Sequence, residues 1–132
     1  MIVVLDASAG IEIALDRPRS EEFTQIVGSA DKVVSSELYK AEVANVIWKY
    51  VRAGLMPNEM ASQKLEQAQD IVDEFIDISE NNDEALSESI RIGHPVYDIL
   101  YLTLARRNGA KLLTVDKKLK AVCEKSGVSV VG

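Results

Sequence analysis

The stretch that decides the fold is Met1–Gly10, MIVVLDASAG. Four apolar residues, Ile2 to Leu5, run directly into Asp6 and then into Ala, Ser, Ala and Gly. A short, uninterrupted apolar run of this kind reads as a strand buried on both faces. A carboxylate at its end is costly unless something pairs with it. A second such run, KLLTV at 111–115, also leads into an aspartate, Asp116. KVVSS at 32–36 and VSVV at 128–131 are weaker strand candidates.

Helical patterns fill the intervals. A short helix is expected from Ser8 to about Leu15, closed by the DRPRS turn, with a second piece over 20–29. Ser36 is a candidate cap for a long helix from Glu37 to Ala53, stopped by Gly54. MPNEMASQKLEQAQDIVDEF reads as one amphipathic helix with Ala61, Leu65, Ala68, Val72 and Phe75 on its apolar stripe. Asn82 or Asp83 would cap a helix that ends at Gly93. Pro95 opens another that runs to Asn108-Gly109, and a last one follows Asp116 and ends near Ser126-Gly127. Strands alternating with helices imply an α/β fold, with a mostly parallel sheet and helices on both faces. In such sheets functional groups gather at the carboxyl ends of the strands. Asp6 and Asp116 would then share one edge.

At 132 residues the chain suits one domain, residues 1–132, with a core mainly of Val, Ile, Leu and Ala. Apolar residues are 47% and charged residues 27%, the balance of a globular protein. One cysteine, Cys123, excludes an internal disulfide and a cysteine-based zinc site, and one histidine, His94, argues against a histidine-rich metal site. No apolar run is long enough to span a membrane and no signal peptide opens the chain, so a cytoplasmic protein is expected. The net charge of −6 is unevenly spread. Residues 65–90 carry nine acids and no Lys or Arg, whereas 106–125 carries seven basic residues against two acids. The molecule is therefore polarised, with an acidic arm and a basic end.

Two further acids stand in apolar surroundings. Glu42 lies in YKAEVANVIWKYV and Asp98 in PVYDILYLTLA, which holds no other charge from 95 to 105. An acid so placed must be hydrogen-bonded, paired with a cation or bound to a metal. Oxygen donors from Asp6, Glu42, Asp98 and Asp116 would suit a hard divalent cation, Mg²⁺ or Mn²⁺. Each also has a structural role open to it. Asp6 can cap the helix beginning near Ser8, and Asp116 can cap the last helix. Asp98 falls in a helix's first turn, where the dipole favours negative charge, and Glu42 can accept from a buried backbone group. Asn45 shares a helical face with Glu42, and Tyr101 shares one with Asp98. Ser8 and Thr114 stand two residues from Asp6 and Asp116 and can hydrogen-bond a carboxylate.

The chain resembles the PIN-domain ribonucleases, in particular the VapC-type toxins of toxin–antitoxin modules. The resemblance spans essentially the full length. It rests on VVLDASA with Asp6 and Ser8, AEVANVIWK with Glu42 and Asn45, HPVYDILYLTLA with Asp98 and Tyr101, and LLTVDKKL with Thr114 and Asp116. It implies a three-layer α/β/α sandwich around a parallel sheet of about five strands, with the acids at its carboxyl edge. It also implies Mg²⁺- or Mn²⁺-dependent hydrolysis of single-stranded RNA to 5′-phosphate and 3′-hydroxyl products. Asp6, Glu42, Asp98 and Asp116 are the catalytic and metal-binding residues it suggests, supported by Ser8, Asn45, Thr114 and Tyr101. Lys117 and Lys118 stand where some relatives carry a further acid, which implies one firmly held ion. His94 is read as a turn or helix-start residue rather than a ligand.

Arg106, Arg107, Lys117, Lys118 and Lys120, with Arg17 and Arg19, are candidate guides for the RNA backbone. The helix around Trp48 is apolar almost all round, which suggests contact with another chain. The partners the resemblance implies are a second copy in a homodimer and an antitoxin whose arginine or lysine reaches the acids. An inactive PIN-like module that binds RNA or protein is the alternative. A receiver domain or a haloacid-dehalogenase-like phosphatase is a more distant rival, and the latter needs an aspartate where Ser8 stands.

Overall fold

The computed structural model describes residues 1–132. Its centre is the opening strand, β1 (Ile2–Leu5), in which Val3, Val4 and Leu5 have no exposed surface. Burying each such side chain contributes about 1.5–3 kcal/mol, which is why the run is apolar without alternation. On one side β1 pairs in parallel with β2 (Lys32–Ser36), with Val3 opposite Val33, and β2 pairs with β3 (Glu74–Ile76). On the other side β1 pairs with β4 (Lys111–Leu113), with Leu5 opposite Leu113, and β4 pairs with β5 (Val130–Val131). The five-stranded sheet is thus wholly parallel, in the order β3-β2-β1-β4-β5.

Seven helices connect the strands. They are α1 (Ala7–Ala14), α2 (Ser20–Ser29), α3 (Leu38–Arg52), α4 (Ala61–Asp70), α5 (Asn82–Ile92), α6 (Val96–Asn108) and α7 (Lys117–Lys125). The chain steps outward from β1 to β3, then crosses back to β4 and β5. Right-handed crossovers therefore place α1–α4 on one face and α5–α7 on the other. The packing follows: α1 lies against α2, α3 and α4, while α6 lies against α5, α7 and strands β1, β2 and β4. The direction of travel reverses between β1 and β4, and a crevice opens at their carboxyl ends.

The elements depart from the sequence reading in three places. The expected helix over 56–75 ends at Asp70, and Glu74–Ile76 becomes the edge strand β3. Asp73 explains the break. Its carboxylate accepts from Val33 N at 2.7 Å and its own N–H donates to Val33 O at 2.8 Å, stitching the chain to β2. β4 stops at Leu113 rather than 115, because the Thr114 hydroxyl is drawn into hydrogen bonds with Asp6 and Asp116. Neither Asn82 nor Asp83 caps α5. Asn81 occupies that position, and its buried amide donates instead to Leu100 O and Thr103 Oγ1, both at 2.9 Å, tying α5 to α6. Ser36 does accept from Leu38 N, at 3.2 Å, at the start of α3.

Candidate active site

Asp6, the residue after β1, is 4% exposed. It caps α1: Oδ1 accepts from Ala9 N at 2.9 Å and from Ser8 Oγ at 2.7 Å. Its Oδ2 accepts from the Thr114 hydroxyl, which in turn accepts from Asp116 N at 3.0 Å. Ser8 Oγ also accepts from Val115 N at 2.9 Å. One small network therefore locks the end of β1 to the segment after β4. Burial raises the Asp6 carboxyl to about 6, against the lowering effect of its three donors, and the Asp98 charge adds to the rise.

The other acids arrive from different elements. Glu42, on α3, accepts from the Tyr101 hydroxyl of α6 at 2.7 Å. Burial raises its pKa, the Tyr101 bond lowers it, and the Asp98 charge raises it. Asp98, in the first turn of α6, bonds through Oδ2 to His94 Nε2 at 2.8 Å. Asp116 caps α7, its Oδ1 accepting from Lys118 N at 2.9 Å and Leu119 N at 3.0 Å. The two aspartates that follow strands are thus genuine helix caps as well as members of the cleft. Glu42, Asp98 and Asp116 each commit one oxygen to the protein and leave the other without a protein donor.

All four acids line one open cleft of about 260 Å³, together with Ser8, Asn45, Lys49 and Tyr101. Glu42, Asn45, Val46 and Lys49 are one face of α3, spaced three, four and seven residues apart. No Lys or Arg forms an ion pair with any of the four acids. No three of the carboxylates converge on a single point as they stand. Their donors are nonetheless all oxygen, none ion-paired to a Lys or Arg, and three of them keep an oxygen without a protein donor, the set a hard divalent cation takes.

The basic residues divide. Lys117 and Lys118 are exposed in the first turn of α7, beside Asp116. Arg106 and Arg107 are not brought to the cleft. They sit in the last turn of α6 and pair with Glu84 at 2.6 and 2.7 Å, so the basic end clasps the acidic arm. Arg17 pairs with the buried Glu12 at 2.8 Å, Arg19 with Glu22 at 3.0 Å, and Lys120 Nζ donates to Gly132 O at 3.1 Å. Local charge runs do not reveal these partners, which lie on neighbouring elements. Lys49 is a cleft residue absent from the sequence-based candidates, and its place seven residues from Glu42 on α3 is the signal that marks it. His94 stands at the entry to α6, as expected, and its bond to Asp98, four residues on, is the feature the sequence does not announce.

The PIN domain family model matches residues 3–125. The chain belongs to the PIN domain family. This PIN domain is 34% identical over 124 residues to Ribonuclease VapC3 of Pyrobaculum aerophilum, a match covering 90% of this chain and 92% of the relative. The crystal structure of PAE2754 from Pyrobaculum aerophilum is similar to it with a TM-score of 0.73 and 26% identity, over 92% of this chain and 86% of that one. VapBC2 from Rickettsia felis, solved bound to a DNA fragment from its promoter, has a TM-score of 0.69 at 18% identity, over 99% and 98% of the two chains. At that identity the likeness concerns the fold, and the PIN-like sandwich with its five-stranded parallel sheet agrees with it.

Proposed function

We propose that this PIN-domain protein is a metal-dependent endoribonuclease that hydrolyses phosphodiester bonds of single-stranded RNA, and that it is the toxin of a type II toxin–antitoxin pair. One observation carries the reading. Four acids from separate segments line one cleft, with no Lys or Arg paired to them, and three offer a free oxygen. A module that only bound RNA would gain nothing from such repulsion. The name of the 34% identical relative, Ribonuclease VapC3, supports the same chemistry.

Asp6, Glu42, Asp98 and Asp116 would hold Mg²⁺ or Mn²⁺. When bound, such an ion supplies Lewis-acid stabilisation of the phosphate and makes water a nucleophile at neutral pH. The chain's own part is positional. Ser8 and Thr114 fix Asp6, and Tyr101 fixes Glu42. Lys49, Lys117 and Lys118 take flanking phosphates, while Asn45 stands at the cleft wall for a polar contact. In this reading the protein works in the cytoplasm as a homodimer. A cognate antitoxin silences it by placing a basic side chain among the carboxylates.

The test is cleavage of a labelled single-stranded RNA by antitoxin-free protein with Mg²⁺, with Mn²⁺ and with EDTA, beside an Asp98→Asn variant. Cleavage is expected with either metal, absent with EDTA, and reduced at least about 100-fold in the variant. Cleavage indifferent to EDTA or to Asp98→Asn overturns the reading. Failure both to cut a broad RNA pool and to bind metal in calorimetry returns the protein to the binding-module alternative, whereas metal binding without cleavage leaves the site standing and points to a narrow substrate choice.

Tyr101→Phe is a finer probe. It removes only the hydroxyl that holds Glu42 and lowers its pKa. The expected result is a normally folded protein whose cleavage falls about tenfold, with the acid limb of its pH profile displaced to higher pH. An unchanged acid limb would remove Tyr101 from the working site.

A further inference from the structure

Asp6 has three donors and Asp116 has two backbone amides, but Asp98 has a single partner, His94. The asymmetry matters because an aspartate's terminal torsion is broad and unconstrained unless something holds it. His94 is itself held. Gly93 before it ends α5 in the left-handed conformation at φ 70°, and Pro95 after it begins α6 at φ −58°. His94 N donates to Ser89 O at 3.3 Å, and the side chain is 12% exposed against 30% for Asp98. The ring does not line the cleft, whereas Asp98 does. An ionised Asp98 can only accept, so the bonded Nε2 carries the hydrogen.

We infer that His94 is a positioning residue: its Nε2–H holds Asp98 Oδ2 so that Oδ1 is presented to the cleft, ready to ligate a divalent cation. This rests on the metal-dependent reading above. His94 has no part in proton transfer to substrate, since its bonded nitrogen is committed and its ring does not line the cleft. Partners that orient a ligating side chain typically account for 10- to 100-fold in metal affinity or activity. A histidine serving merely as the link between α5 and α6 would affect stability instead.

The experiment compares the full-length wild type with His94→Phe, His94→Asn, His94→Gln and Asp98→Asn. Phenylalanine keeps the ring's bulk without a donor. Asparagine keeps polarity but is too short to reach Asp98. Glutamine restores an N–H at about the reach of Nε2. Four quantities are read: Mn²⁺ affinity by calorimetry, kcat and KM on labelled RNA at one pH, and the melting temperature. The expected result is Mn²⁺ affinity weakened about 10- to 100-fold in His94→Phe and His94→Asn. With it, kcat falls at unchanged KM, and both recover to within about threefold in His94→Gln. Should one variant fail to fold, the other carries the comparison. Wild-type Mn²⁺ affinity in a folded His94→Phe or His94→Asn, while Asp98→Asn loses it, overturns this inference and leaves the nuclease reading standing. Absence of Mn²⁺ binding in the wild type overturns both.

Discussion

Gly10→Ala is expected to lower stability by about 3 kcal/mol. Gly10 lies inside α1, where alanine is ordinarily the better residue by about 1 kcal/mol. Here the substitution has no room: a Cβ would stand 2.1 Å from the Tyr39 hydroxyl and 2.7 Å from Cζ of its ring. Tyr39 is fully buried, packs against Phe75 with ring centroids 5.7 Å apart, and donates to Ala68 O near the end of α4. That carbonyl is one a helix leaves without an internal partner. Displacing the ring costs roughly 1–3 kcal/mol in overpacking, and orphaning the carbonyl costs roughly 1–3 more. For a domain of this size the melting temperature should drop by about 10 °C. Tyr39→Phe in the same background removes the nearest contact and should recover part of the loss, so the two changes couple. A Gly10→Ala protein melting at or above the wild type would show that α1 and α3 can slide apart without penalty.

Asp6→Asn should act on stability and activity in opposite directions. Burial holds the Asp6 carboxyl near 6 in the folded chain, against 3.8 for an unperturbed aspartate. The folded state therefore binds the extra proton between those values. Above pH 6 the ionised, desolvated carboxylate costs about 3 kcal/mol relative to the unfolded chain. As pH falls from 6 to 3.8 that cost disappears, so stability contributed by this group rises on acidification. Metal-free Asp6→Asn is thus expected to be more stable than the wild type at pH 7, by up to about 3 kcal/mol. It should also show a weaker rise in melting temperature between pH 7 and pH 5, while cleaving no RNA. Saturating Mn²⁺ should stabilise only the wild type, by about 2.7 kcal/mol at a hundredfold excess over Kd. Thermal melts at pH 5 and 7, with and without Mn²⁺, decide the matter. A variant less stable than the wild type at pH 7 with an undiminished pH slope would mean that Asp6 is stabilising as an anion.

What could be read from the sequence had local causes. The β1 and β4 runs are apolar because both faces are covered, and the acids after them follow at once. Glu42 and Asp98 were conspicuous because their neighbours are apolar. β3 was hidden because Phe75 continues the helical stripe of α4, and the residue that breaks it, Asp73, bonds to Val33, forty positions earlier. Arg106 and Arg107 looked free because their acidic partner, Glu84, lies on another helix. Trp48 is the reverse case. Its 53% exposure agrees with the excess apolar surface noted on that helix, and the Arg52 guanidinium covers the ring at 5.3 Å from its centroid. In each instance the legible feature was set by neighbours in sequence and the illegible one by a neighbour in space.

The strand order has a consequence for how the molecule is made. β1 precedes the other four strands, yet its β4 neighbour follows all of them but β5. After β2 is complete, roughly 75 residues follow before β4 appears, an interval of about 4–15 s at ordinary rates of synthesis. Throughout it one flank of the innermost strand is unpaired, and at most three of the four acids exist. A polypeptide broken off before Lys111 lacks Asp116 and the partner strand together. The order of the strands thus makes the closing of the sheet around β1 and the completion of the acid set a single late event.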